Sequence, residues 1–561
     1  MRNCERSRTF GLFLVIAATV LVLVALVACG APKPTPTPAQ SAPPTPTRVA
    51  PASTATPTAA PAAPTPTPAP QVGAKPQYGG TLRFATRNEI DTLDPNYSAL
   101  SGTYTVFYAL YNQLFQIDKD GNLLPSLAQS WDISADGKTI TLRLQKGVKF
   151  HDGTDFRSQV VKWNFDRMMD PNDVSPRRGE IQPYLERVEV VDDGTLRLLM
   201  YNPFRPLLPL LATERIGWMS SPAAVEKEGK SYGRNPVGTG PYRFVEWALG
   251  DHVLIKRNDS YWEKDKPYLD GVLIQMTGEP SVRLAMLRTG ETDIAYNTDI
   301  RAEDMPTVER NPALKSVRYE GSATNMLQSN PSKPPFNNKA LRQAISYSID
   351  RDKFVQVVLG GAGTPAYTMI ATGWAYNPNL RPIVFDPTKA KEKLVEAGYP
   401  RGVTIPMGCP TTGIHLQVCE TTQAMMKEVG INAAIELIET SGYFTMGDAG
   451  YFNRVGLGSI QWAHRIDPHT SLQGLFHTKG FSNVKGYSNP EVNQLIDEAA
   501  AIYDTAKVKP IYDRIQTNVA EDASAVFLAR RDSFYAMNKR IQGFVVYPTK
   551  FEHLEFLWLQ K

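Results

Sequence analysis

Hydrophobic and polar positions divide this chain into three stretches. Thr9 to Ala28 carries no charge and follows the basic start Met1-Arg2-Asn3-Cys4-Glu5-Arg6-Ser7-Arg8. From Pro32 the periodicity vanishes into Pro, Thr and Ala, and residues 31–70 hold fourteen of the forty-four prolines. Beyond about Gln77 both strand and helix periods appear. Thr139–Leu144 alternates, with Ile140, Leu142 and Leu144 on one side, which predicts a half-buried strand. Val188–Val191, Leu196–Met200 and His252–Lys256 read the same way, with Asp193-Gly194 as a hairpin turn. Asp386-Pro387 opens a helix that Gly398 ends. Asn489-Pro490 opens another, with an apolar stripe of Val492, Leu495, Ile496, Ala499 and Tyr503. Lys339–Leu359 predicts a third, stopped by Gly360-Gly361. No fixed-period repeat is present, and the class expected is mixed α/β with several lobes.

The N-terminal pattern is that of an export signal: a basic start, an apolar run and small residues before the cut. Leu26-Val27-Ala28-Cys29 resembles a bacterial lipobox, in which Cys29 is acylated and becomes the new N-terminus. The competing expectation is an uncleaved anchor, since twenty apolar residues span a bilayer and the flanking arginines would stay inside. Either one exports the rest of the chain. No later segment is long and apolar enough to cross a membrane, so the chain is not expected to be a permease by itself. The proline tract favours extended polyproline II structure and is a candidate for O-glycosylation. At about 3.1 Å per residue it would hold the body roughly 100 Å from the lipid.

Charge narrows the function classes. The chain is +4, and residues 1–28 carry three Arg and one Glu, leaving the exported part near +2. That balance gives no case for nucleic acid. The body from Gln77 to Lys561 is too long for one core, so at least two lobes are expected. Of four cysteines, Cys4 leaves with the signal and Cys29 takes lipid. Cys409 and Cys419 remain as a pair in an oxidising compartment. A disulfide between them is the expectation; two buried free thiols are the alternative, since spacing alone does not fix the Cα separation.

Catalytic signatures are few. The sequence has no Gly-x-Ser-x-Gly elbow, Walker A loop or His-Glu-x-x-His. Gly238-Thr239-Gly240 precedes Pro241, which suits a tight turn better than a phosphate loop. One cluster stands out. Trp462-Ala463-His464-Arg465-Ile466-Asp467-Pro468-His469, with His477, gathers three of the seven histidines within sixteen residues. Arg465 suits a bidentate grip on an anion against Trp462. His464, Asp467, His469 and His477 are alternatively candidates for a metal or metal chelate, or for acid–base work. A structural reading competes with all three, in which Asp467-Pro468 makes a turn and Arg465 an internal ion pair.

A longer series of motifs then makes a family recognisable. It runs Gly79-Gly80-Thr81-Leu82-Arg83, Leu93-Asp94-Pro95, Leu124-Pro125-Ser126-Leu127-Ala128 and Gly147-Val148-Lys149-Phe150-His151-Asp152-Gly153. It continues through Gly238-Thr239-Gly240-Pro241-Tyr242, Gly290-Glu291-Thr292-Asp293-Ile294, Pro335-Phe336-Asn337 and Gly486-Tyr487-Ser488-Asn489-Pro490-Glu491. In this order the motifs resemble the family 5 extracellular solute-binding proteins, the dipeptide, oligopeptide and nickel type that serve ABC importers. The resemblance covers everything after the linker. It implies a two-lobed periplasmic-binding-protein-like fold of type II with an extra domain and a discontinuous lobe. The boundaries expected are signal 1–28, linker 29–76, lobe I 77–115, extra domain 116–235, lobe I again 236–320, lobe II 321–534 and a final lobe I segment 535–561. It implies a ligand held between lobes by hinge closure, ABC permease subunits and a lipid-anchored membrane association as partners, a monomer, no cofactor and no enzymatic activity.

One departure bears on the ligand. Peptide-carrying relatives commonly show a Trp-x-x-Asp-x-x-Asp-Pro segment whose first Asp pairs with the peptide ammonium. Here the segment is shorter; counting back from Asp467-Pro468, His464 replaces that acid, with Arg465 beside it. The expectation is a ligand with an anionic or strongly polar group bound by Arg465, with Trp462, His464 and Asp467 nearby: a modified or simple peptide, an opine-like conjugate or a sugar. Tyr97 and Ser98 on the first lobe, and Trp374 and Tyr376 in the loop Gly373–Pro378, are further cleft candidates whose alternative is ordinary packing. A metal-chelate or heme receptor on the same fold, and an exported hydrolase or adhesin, remain the competing functions.

Overall fold

The computed structural model describes residues 75–561 apart from 87–89, 99, 101, 174, 214–215, 296–301, 322, 371, 412, 440–442, 444–455, 464, 481, 484–485 and 550–551. The export segment, Cys29, the proline tract and His464 lie outside the described residues. Three sheets organise the rest.

A seven-stranded sheet runs, edge to edge, Leu314–Tyr319, Ser533–Asn538, Ile294–Ala295, Thr81–Thr86, Gly271–Met276, His252–Arg257 and Tyr242–Ala248. Its centre is parallel, because Thr81–Thr86 pairs in the same sense with both Gly271–Met276 and Ile294–Ala295. Three separate chain segments therefore build one sheet. On one face Leu82, Phe84, Val253, Ile255, Val272 and Ile274 are sealed from water. The helix Gly102–Leu110 packs there, buried along all nine residues. Phe534, Ala536 and Leu314 face the other way, onto the helix Pro280–Thr289 and the short helix Met305–Glu309.

A six-stranded sheet runs Gly363–Pro365, Ala525–Arg531, Ala323–Ser329, Leu457–Ala463, Val403–Pro410 and Ile431–Ile438. The helices Lys339–Tyr347, Arg351–Leu359, Pro387–Glu396 and His415–Glu428 cover one face, and Pro468–Phe476, Pro490–Ala501 and Thr505–Asp522 cover the other. Covered twice, Ala525–Arg531 is buried over its first six residues, of which Ala525–Ala529 read as an uninterrupted apolar run. A four-stranded antiparallel sheet, Ala128–Ile133, Thr139–Leu144, Thr195–Met200 and Leu185–Asp192, carries the helix Ser158–Met169 and its own core.

Local chemistry explains most boundaries. Asp386 accepts the Lys389 N–H at 2.9 Å and Asn489 accepts those of Glu491 and Val492, so both Asx-Pro pairs open helices through side-chain caps. One sequence expectation needs correction. Lys339–Leu359 is two helices, because Asp350 turns extended and caps a new one by accepting the Lys353 N–H. Gly238 and Gly240 take no positive φ; they are glycines because a Cβ on either would collide with backbone at the Leu110 end of its helix.

Among the described strands the chain passes between the seven- and six-stranded sheets twice: from Tyr319 to Ala323, and from Arg531 to Ser533. The two crossings lie side by side, since Tyr319 pairs with Ser533 and Thr324 with Arg530. Arg318 grips Asp532 through Nε and Nη2 at 2.8 and 2.6 Å, and Arg530 meets Glu320 at 3.0 Å. A Cβ on Gly321 would overlap the Arg531 carbonyl oxygen, so the strands approach as closely as they do because one carries no side chain there. A two-strand ribbon braced by two ion pairs is the geometry of a hinge.

Candidate functional site

Ligand crevices in parallel sheets lie outside the carboxyl ends of the strands. Here those ends meet across the ribbon. Leu314–Tyr319 runs in the same sense as Ile294–Ala295, both being antiparallel to Ser533–Asn538, and it ends at the first crossing. On the other side Leu457–Ala463 runs with Val403–Pro410 and opposes Ala323–Ser329, which begins at that crossing. The carboxyl ends of Thr81–Thr86 and Ile294–Ala295 thus point toward the ribbon from one sheet, and those of Val403–Pro410, Ile431–Ile438 and Leu457–Ala463 from the other.

Trp462 stands one residue before the end of its strand. It lies opposite Thr324, and Thr324 lies opposite Arg530, so a continuous row leads from Trp462 to the hinge. Its indole is half-buried against the core under the Pro468, Pro490 and Thr505 helices. Arg465 is half-buried in the turn between that strand and the Pro468–Phe476 helix. His464, between them, is outside the described residues.

Asp467 is committed inside the protein. Its carboxylate caps the Pro468 helix by accepting the His469 N–H at 2.9 Å. The same group takes both ends of the Arg205 guanidinium, Nη2 at 2.9 Å and Nη1 closer still. Arg205 also donates to the Tyr512 hydroxyl at 2.6 Å and lies over the Trp374 ring at 5.2 Å. Burial opposes the Arg205 charge, but Asp467 and Tyr512 outweigh it and hold the guanidinium above its ordinary value. Trp374 packs edge-on to Tyr512, and the Tyr376 carbonyl accepts from Lys509. The structure thus gathers Trp462, Asp467, Trp374 and Tyr376 over one core, around Arg205 and Tyr512.

Tyr97 and Ser98 belong to a second cluster. Tyr97 donates to Asp173 and lies under the Arg167 guanidinium, 5.4 Å from its ring centre. Burial, then the Asp173 hydrogen bond, push its hydroxyl up to about 12. Arg167 in turn grips Asp94 at 2.6 and 3.2 Å. Ser98 is fully buried, donating to Asp91 at 2.7 Å while its carbonyl accepts from Arg177. This cluster fixes the stretch from Asp94 to Ser98 to the four-stranded domain.

His469 and His477 turn inward. His469 is 2% exposed, lies edge-on to Phe204, and is pushed down to about 4 by burial. His477 uses Nδ1 to accept the Lys479 N–H. Among the described residues no group of three or more His, Cys, Asp or Glu is arranged to hold a metal. Cys409 and Cys419 are joined in a disulfide with their Cα atoms 6.3 Å apart, tying the end of the strand Val403–Pro410 to the helix His415–Glu428. Sequence reasoning overlooked Arg205 and Tyr512. The signal for the first was a lone cation in Pro203-Phe204-Arg205-Pro206-Leu207-Leu208-Pro209-Leu210-Leu211. Tyr512 carried none, as one buried aromatic on an amphipathic helix.

Known proteins share this fold. The model of the bacterial extracellular solute-binding proteins, family 5 middle, matches residues 122–483. The glutathione-binding protein GsiB of Pectobacterium atrosepticum is 33% identical over 480 residues, covering 83% of this chain and 91% of its own. The periplasmic binding protein DppA of Helicobacter pylori, solved with the peptide STSA, superposes with a TM-score of 0.74 at 26% identity, over 86% of this chain and 99% of that one. AgaA of A. tumefaciens R10, solved with agropinic acid, gives 0.73 at 25% identity over the same 86% and 99%.

Proposed function

The chain belongs to the family 5 bacterial extracellular solute-binding proteins, and from that premise we propose that it is the receptor of an ABC importer for a small peptide rich in carboxylates, glutathione being the first candidate. The observation that carries the reading is the two-strand ribbon. It brings the carboxyl ends of the strands of two sheets together, and we assign Arg465 and Trp462 to one rim of the crevice between them. A solute in that crevice touches both bodies only when they close, so ligand contacts stabilise the closed form and the permease meets a loaded receptor.

Glutathione suits this rim. It offers two carboxylates against one ammonium, and Arg465 stands beside the position where peptide-carrying relatives place an acid. A guanidinium there favours a carboxylate over a free ammonium by charge. Support for the choice comes from the GsiB likeness; the agropinic acid bound by AgaA and the peptide bound by DppA indicate the range of solutes such a cleft takes. Export through the 1–28 signal and acylation of Cys29 would keep the receptor near its permease and raise its effective concentration there. No chemical step is required of the protein: it binds, closes and releases.

Titration calorimetry of the exported chain with reduced glutathione, oxidised glutathione, dipeptides and opines tests the reading. Saturable micromolar or tighter binding of glutathione supports it. Silence with glutathione alongside binding of a cationic or uncharged solute overturns the ligand assignment.

A further inference from the structure

The pair Arg205–Asp467 joins two bodies that, among the described strands, the chain connects at the hinge. Arg205 comes just after the four-stranded sheet; Asp467 caps a helix on the six-stranded one. Around the pair the same two bodies touch repeatedly. The Arg205 N–H donates to the Ala500 carbonyl at 2.8 Å, and Tyr503 donates to the Gly137 carbonyl at 3.2 Å. Phe204 meets His469 edge-on, and Ile466 and Ala500 pack into the core of the four-stranded domain. All these partners lie on the face covered by the Pro468, Pro490 and Thr505 helices, the face that also carries Trp462 and Trp374. Swinging the bodies apart about the ribbon would separate every one of them.

We propose that Arg205 is an affinity-setting residue of this receptor: its guanidinium enters the pocket of Asp467, Tyr512 and Trp374 only as the bodies close, and it slows the release of bound solute. The proposal rests on the receptor reading above. Two observations fit a reversible latch rather than a permanent tie. A buried ion pair returns in attraction little more than it loses in desolvation, so closure is not locked. Arg205 Nε finds no acceptor among the described residues, which weakens the closed form further. Removing one partner is different, because the other is then buried with an uncompensated charge in the closed form alone. Asp467 keeps its helix cap when changed to Asn, so the two roles of that carboxylate separate cleanly.

The experiment places spin labels at Lys146→Cys and Lys507→Cys, both exposed and on opposite bodies, in the full exported chain. Distances are read without added solute and with reduced glutathione, and glutathione affinity and dissociation rate are measured in parallel. Arg205→Met is expected to lengthen the distance in solute-free protein and to weaken glutathione binding roughly 100-fold, chiefly through faster dissociation. Arg205→Met with Asp467→Asn is expected to recover most of that loss. Unchanged distances and affinity in Arg205→Met, or a double variant no better than the single, would overturn the latch. If glutathione binds none of the proteins, the ligand reading fails, and the solute-free distances still decide on Arg205. Should Arg205→Met not fold, Arg205→Lys keeps the charge without the fork; it is expected to show an intermediate distance and rate, and wild-type values for both would count against the proposal.

Discussion

Asp467 and Arg205, 262 positions apart, meet as an ion pair whose side chains are only 2% and 7% exposed. The carboxylate simultaneously opens the Pro468 helix. The Asp-Pro pair that reads in sequence as a turn or a ligand contact is here a fold element, buried against Arg205 while Arg465 and Trp462 in the same segment are half-buried.

Arg465→Ala is expected to weaken glutathione binding about 10- to 100-fold, the range for losing one charge-assisted hydrogen-bonding partner of a carboxylate. Calorimetry checks this, with an unchanged melting temperature as the control for folding. Unaltered affinity would remove Arg465 from the cleft.

Gly321→Ala places a methyl group against the Arg531 carbonyl in the ribbon, where backbone has nowhere to retreat without breaking the register. The expected outcome is a protein destabilised by about 2 kcal/mol or more, or one that fails to accumulate. A urea melt of Gly321→Ala beside Gly290→Ala is the comparison. Gly290 has open space around its Cβ position but a φ of 80°, so its cost should come from backbone strain alone.

Reducing Cys409–Cys419 reopens a loop of ten residues' separation. Chain entropy gives an expected loss of about 2–3 kcal/mol. Urea midpoints with and without reductant measure it, and Cys409→Ser with Cys419→Ser should show no further response to reductant.

Acid should unfold this protein through its histidines as well as its carboxylates. Burial holds both His151 and His469 down at about 4. An unfolded histidine titrates near 6.5. The unfolded chain therefore takes up these protons first, and each site's contribution to stability is complete above about 6.5 and lost as the pH falls toward 4. His469→Phe, packed against Phe204, should flatten this part of the stability profile. Urea midpoints between pH 4 and 7 give the slope, and a slope equal to wild type would mean His469 is charged in the folded state.

The hinge was the least legible part of the sequence. Helix openings at Asp386 and Asn489 arise from side-chain chemistry within four residues, so local pattern sufficed. The split of Lys339–Leu359 turned on one capping residue, Asp350, inside a run apolar enough to pass for one helix. Arg318, Glu320, Arg530 and Asp532 are unremarkable charges until strands more than two hundred residues apart are laid side by side. For the candidate site the family motifs located the Trp462–Asp467 segment. They carried no information on which of its side chains turns inward, because that depends on Arg205 arriving from another domain.

The seven-stranded sheet draws its strands from three stretches of chain, the last starting at Ser533. Among the described strands Leu314–Tyr319 has no other partner, and neither crossing of the ribbon is complete until Arg531–Ser533 is in place. The six-stranded body is contiguous from Ala323 to Arg531. Both bodies therefore wait for the final tenth of the chain: the six-stranded sheet for its interior strand Ala525–Arg531, and the seven-stranded sheet for Ser533–Asn538 directly after it. A chain threaded through a membrane from its N-terminus would stay incapable of gripping a solute until its last strands emerge on the far side.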